Sequence, residues 1–130
     1  MPMNQSSSTS PAMLWAGRIL SALPVLLMVV TGIYSLLNAS AVAPQAAKYG
    51  YPDGTLMRIC IVEIVCAIIY AIPRTSIFGA ILLTGYLGGA TATHVRIGEP
   101  FIMPVVVGIM VWAGIYLRDE RLRALVPFRG

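Results

Sequence analysis

Glu63 is the residue whose type and setting promise the most chemistry. It stands in an apolar run from Leu56 to Ile72, seven residues from its start, or about 10 Å along a helix at 1.5 Å per residue. A charged group deep in a bilayer costs about 2.5–3.5 kcal/mol unless it is paired or neutralised. Glu63 therefore marks either a functional site or a polar tie between helices. His94, the single histidine, can serve as a proton shuttle or a ligand. One imidazole cannot fill both axial positions of a bis-histidine haem, and no carboxylate cluster accompanies it, so no metal site is expected. Cys60 and Cys66 are six residues apart on one helix, about 9 Å, beyond the roughly 7 Å limit for a disulfide. They read as small hydrophobes. Arg58 lies about 140° round the helix from Glu63 and reads as an interfacial side chain with its charge in the headgroups.

The elements that must position these groups are helices in a membrane. Of 130 residues, 58% are hydrophobic and 11% charged, and the net charge is +4; soluble domains average about 45–50% and 25%. Mean hydropathy is +0.81. This composition excludes disorder and a small soluble enzyme alike. The basic residues flank apolar runs, so a bilayer is the expected partner and nucleic acid is not. Four runs approach the roughly 20 residues a span needs: about 15–37, 56–72, 76–93 and 100–117. No polar–apolar alternation suggests barrel strands. The expected fold is an all-α four-helix transmembrane bundle, residues 14–130 with a basic C-terminal tail, preceded by a disordered polar tail over 1–13. Ala41-Val42-Ala43 imitates a signal-peptide cleavage site, but the preceding run is too long for one, so the first helix is read as uncleaved.

Basic residues set the orientation. Arg18, Arg74, Arg118, Arg121, Arg123 and Arg129 fall on one side of a four-span chain, and Lys48, Arg58 and Arg96 on the other. Both termini are thus expected in the cytoplasm, as for a multi-pass protein of a bacterial inner membrane. Leu122, Leu125 and Val126 share one face of the tail, the pattern of a short helix on an anionic lipid surface.

Counting inward from the loops puts Glu63 level with Tyr86 and Thr31, with Tyr34, Thr91 and His94 nearer the outer surface. Those six form a candidate polar pocket. Gly85, Gly88 and Gly89 carry a G-x-x-x-G spacing that suits helix packing, within the chain or against a second copy, or leaves room for a flat ligand. No P-loop, C-x-x-C pair or H-E-x-x-H motif occurs.

The stretch Val62-Glu63-Ile64-Val65-Cys66-Ala67-Ile68-Ile69-Tyr70, then Ile72-Pro73-Arg74-Thr75, then Gly79 to Ala90 and Thr91-Ala92-Thr93-His94-Val95-Arg96, with Trp112 and Leu117-Arg118-Asp119, resembles the DoxX-like family of small bacterial membrane proteins. The resemblance implies a four-helix membrane bundle. It also implies kinship with a wider group linked to quinone redox, including a membrane subunit of a thiosulfate–quinone oxidoreductase. It assigns no catalytic residues. Three readings follow. The first is a non-enzymatic component that binds a lipophilic ligand or a partner in a membrane redox system. The second is a quinone-linked oxidoreductase or its subunit, with Glu63 handling the proton and Tyr86 or His94 holding a carbonyl oxygen. The third is a small proton-coupled transporter switched by Glu63. No cofactor is evident in the residues, and a quinone is the one the resemblance admits.

Overall fold

The computed structural model describes residues 9–52 and 54–126. The bulk of the expected polar tail (1–8) and Arg129 lie outside them. Among the described residues six α-helices occur in order: α1 Pro11–Leu37, α2 Ala39–Tyr49, α3 Thr55–Ala71, α4 Ser76–Arg96, α5 Ile102–Arg118 and α6 Glu120–Leu125, with a 3-10 turn at Pro73–Thr75 before α4. No strand occurs among the described residues, so the protein is all-helical.

α1 begins at Pro11, inside the segment expected as tail. Ser10 caps it by accepting from the Met13 N–H at 3.2 Å, and proline suits the first helical position because its missing N–H would have no partner there. The Ala-rich stretch after Leu37, expected as connection, forms α2; none of its residues is buried. Alanine favours helix strongly, but eleven residues are too few to register as a span. Gly50 ends α2 at φ +84°, where its N–H reaches Ala47 and the Tyr51 N–H reaches Ala46, a left-handed cap that favours glycine.

The four long helices pack cyclically: α1 against α3 and α5, and α4 against α3 and α5. Tyr70, Ala80, Leu83, Val111 and Ile115 are fully or nearly fully buried between them. The α3–α4 corner is closed by hydroxyls. Thr75 donates to the Ile69 carbonyl at 2.7 Å and Ser76 to the Tyr70 carbonyl at 2.7 Å, which satisfies acceptors that the end of α3 leaves open.

Backbones meet where glycine permits. A Cβ on Gly17 would lie 2.7 Å from the Gly114 carbonyl oxygen, and one on Gly114 would lie 2.3 Å from Ser21 Oγ. One on Gly79 would lie 2.4 Å from both Cα and N of Tyr70. By contrast, nothing lies within 4 Å of a Cβ built on Gly85, Gly88 or Gly89. The expected glycine stripe is therefore not a packing surface within the chain. The packing glycines are Gly17, Gly32, Gly79 and Gly114, and the spacings Gly17-x-x-x-Ser21 and Ser76-x-x-x-Ala80 are the signal that points to two of these contacts.

The outside is apolar along every long helix. Trp15, Leu23, Val30, Ile61, Phe78 and Ile109 are all at least half exposed. Such continuous exposure exceeds what a water-facing surface tolerates. α1 (Pro11–Leu37) and the stretch Pro73–Arg96 are long and apolar enough to cross a membrane, and α5 is a shorter apolar helix.

Candidate functional site

Glu63 sits half-buried on α3 facing α1. Gly32 of α1 makes the approach close: a Cβ there would press 2.7 Å from Ile64 and 3.3 Å from Glu63 Oε1. Thr31, one residue earlier, donates its hydroxyl to Glu63 Oε2 at 3.1 Å. From the other side Tyr86 of α4 reaches the same carboxyl. Three helices thus converge on one carboxyl group. Cys60, a turn above, lies within reach of Ser35, whereas Cys66 belongs to the core beside Met28; both thiols are free.

Tyr86 is also part of a second feature. A cavity of about 420 Å³ opens between α4 and the start of α3, lined by Tyr49, Tyr51, Leu56, Ile59, Tyr86 and His94, with Gly85 and Gly89 also in its wall. Its rim is ordered by hydrogen bonds. The Tyr51 and Thr93 hydroxyls lie 2.9 Å apart, and Arg96 donates to the Tyr49 carbonyl at 2.6 Å. The Tyr49 ring lies 5.9 Å from Tyr51 in edge-to-face contact and 5.7 Å from His94. His94 Nδ1 is 2.7 Å from the Ala90 carbonyl. A carbonyl can only accept, so Nδ1 carries a proton.

The six expected pocket residues therefore divide. Glu63, Thr31 and Tyr86 meet, and Tyr86 shares the cavity with His94. Thr91 faces away, into a larger apolar groove of about 720 Å³ between α4 and α5, with its hydroxyl bonded to the Leu87 carbonyl. Tyr34 points outward, 57% exposed. Sequence reasoning missed Tyr49, Tyr51 and Thr93. The signal was available in the two tyrosines flanking Gly50 at a helix end, a position where membrane proteins gather aromatics. Among the described residues, no three His, Cys, Asp or Glu side chains gather as a metal would require.

An all-helical chain with an apolar exterior and a polar cluster confined between helices is a membrane protein. The DoxX-like family model matches residues 19–114, which is most of the chain, and the protein belongs to that family. No curated protein and no solved structure matches it significantly.

Proposed function

We propose that this protein spans the bacterial cytoplasmic membrane four times, through α1, α3, α4 and α5, with both termini inside, and binds a flat lipophilic ligand beside α4. It acts as a non-enzymatic binding or accessory component of a membrane redox system. The observation that carries this is the pair of bare glycines in the cavity wall. Gly85 and Gly89 cost helix stability, about 0.8–1 kcal/mol each relative to alanine, yet touch no other helix. They leave open space next to aromatic walls, and the volume falls within the roughly 300–1,000 Å³ of small-molecule sites. A quinone or quinol head group fits that chemistry, with Tyr86 and His94 available to its oxygens.

A second reading, a quinone-linked oxidoreductase subunit, draws support from Tyr86, which joins the cavity to Glu63. A proton accompanying ring reduction would have a carboxyl one phenol away. Loss of quinone-dependent electron flow in Glu63→Gln membranes would favour this reading over simple binding.

Titration of the detergent-purified protein with a short-chain ubiquinone, followed by tryptophan fluorescence, tests the proposal. Gly89→Leu should fill the cavity and weaken binding by at least about tenfold, or 1.4 kcal/mol, while leaving the melting temperature intact. Tyr86→Phe should weaken it less. Failure of the wild-type protein to bind, or equal binding by Gly89→Leu, would sink the reading.

A further inference from the structure

At the opposite end of the molecule, α1, α3 and α5 enclose a cleft of about 430 Å³. Two arginines, Arg18 of α1 and Arg118 of α5, stand in its wall with Ser21 and Tyr70. Arg118 is fixed in place. Its stem crosses Gly17, where a Cβ would fall 2.5 Å from Arg118 Cγ. Its Nε donates to Ser21 Oγ at 3.0 Å, and its guanidinium carbon lies 5.8 Å over the Tyr70 ring. Ser21 is itself held 2.9 Å from the buried Tyr70 hydroxyl. Arg18 rests against Trp15, 5.2 Å from the ring centre.

Neither arginine has a carboxylate partner among the described residues. Asp119, the nearest acid in sequence, caps α6 by accepting from the Arg121 N–H and pairs with the Arg121 side chain instead. The cleft therefore carries two positive charges and no negative one. The terminal nitrogens of Arg118 form a planar fork, the geometry that binds phosphate through two parallel hydrogen bonds. Above the arginines the wall turns apolar, through Ala22, Val25 and Leu26, and Leu26 faces outward at 60% exposure. A ligand that fills this cleft has an anionic head and a hydrocarbon continuation.

We infer that the Arg18–Arg118 cleft binds the phosphate of an anionic phospholipid, with an acyl chain lying along Val25 and Leu26. The site is separate from the cavity beside α4 and rests on the proposed orientation alone, which puts this end at the cytoplasmic face, so the ligand beside α4 can fail without it. Basic clefts between membrane helices on the cytoplasmic side are suited to such head groups, because the inner leaflet is rich in anionic lipid.

Native mass spectrometry of the delipidated full-length protein, titrated with phosphatidylglycerol, phosphatidylcholine or inorganic phosphate, tests this. Phosphatidylglycerol should bind at least about tenfold more tightly than phosphatidylcholine. Arg18→Gln and Arg118→Gln should each abolish that preference, and Arg121→Gln, outside the cleft, should keep it. Arg18 makes no helix–helix hydrogen bond among the described residues, so its variant reads the site even if Arg118→Gln folds poorly. Equal affinity for the two lipids overturns the inference, as does an unchanged preference in Arg18→Gln or a matching loss in Arg121→Gln. Displacement of the lipid by millimolar inorganic phosphate overturns the lipid assignment in favour of a soluble anion.

Discussion

Gly79→Ala is expected to destabilise the folded protein by at least about 3 kcal/mol, the upper end of ordinary overpacking costs. The added methyl would sit 2.4 Å from the Cα and N of Tyr70. Those are backbone atoms of a helix whose end is pinned to α4 through Thr75 and Ser76, so no side-chain rotation relieves the contact. α3 and α4 would have to separate, and the seat of Tyr70 would go with them. Against a typical total of about 5–15 kcal/mol, that is a large fraction. The check is an unfolding titration in mixed micelles. Gly88→Ala is the paired control: its Cβ meets nothing within 4 Å, so helix propensity alone should act, neutral or stabilising by up to about 1 kcal/mol. Equal midpoints for the two variants would show that the α3–α4 contact is not as close as described.

The second large effect is expected at Tyr70, which is completely buried. Its hydroxyl lies 2.6 Å from the Val111 carbonyl and 2.9 Å from Ser21 Oγ. A phenol has one proton, so the Tyr70 hydroxyl shares it between two acceptors, the Val111 carbonyl and Ser21 Oγ. The ring thereby joins α3 to α1 and α5 together. Tyr70→Phe removes two hydrogen bonds but keeps the packing. Interhelical hydrogen bonds in membrane proteins average about 0.6 kcal/mol, with a maximum near 1.7, so a loss of about 1–2 kcal/mol is expected. Tyr70→Ala also leaves a ring-sized void. Aromatic-to-alanine changes cost about 3–5 kcal/mol in soluble cores, and the cavity part of that cost persists in lipid, since neighbouring atoms lose their contacts whatever the solvent. The order wild type, Phe, Ala in unfolding midpoint, with the larger step between Phe and Ala, is the expected result. A larger step at Phe would mean that the hydroxyl network outweighs the packing.

Helices, corners and depth could be read from the chain because each depends on local features. Apolar runs and the Pro73 and Pro100 breaks set the long helices to within a few residues of their observed ends. Residue counting from the loops puts Glu63 level with Thr31 and Tyr86 because helical rise is constant; a hydrogen bond joins Thr31 to Glu63, with Tyr86 beside the same carboxyl. Which face of a helix meets which neighbour is not local. The triple Gly85, Gly88 and Gly89 has the spacing of a packing motif, yet no neighbour lies within 4 Å of a Cβ on any of them, and α4 buries Gly79, Ala80, Leu83 and Leu87 instead. Thr91 likewise goes to the α4–α5 groove rather than to Tyr86. α6 shows the effect on a small scale: Leu122 turns into the core while Leu125 stays exposed. Spacing specifies a surface, and only the rest of the fold decides what covers it.

The two ends of the molecule are fastened by different means. Near the cleft, backbones touch at Gly17, Gly79 and Gly114. At the far end α2 buries nothing and is tied down by Lys48 on Glu99 and by Arg96 on the Tyr49 carbonyl. The hydrogen bond and charge of Glu99 hold the Lys48 ammonium above its ordinary range. The tie is therefore complete below the normal lysine pKa and opens only as pH rises through the elevated one. Ionic strength reaches it sooner, because Lys48 is more than half exposed and charges in water are screened over about 8 Å at physiological salt. High salt therefore loosens the tie at this end, and an added methyl group acts on the backbone contacts at the other.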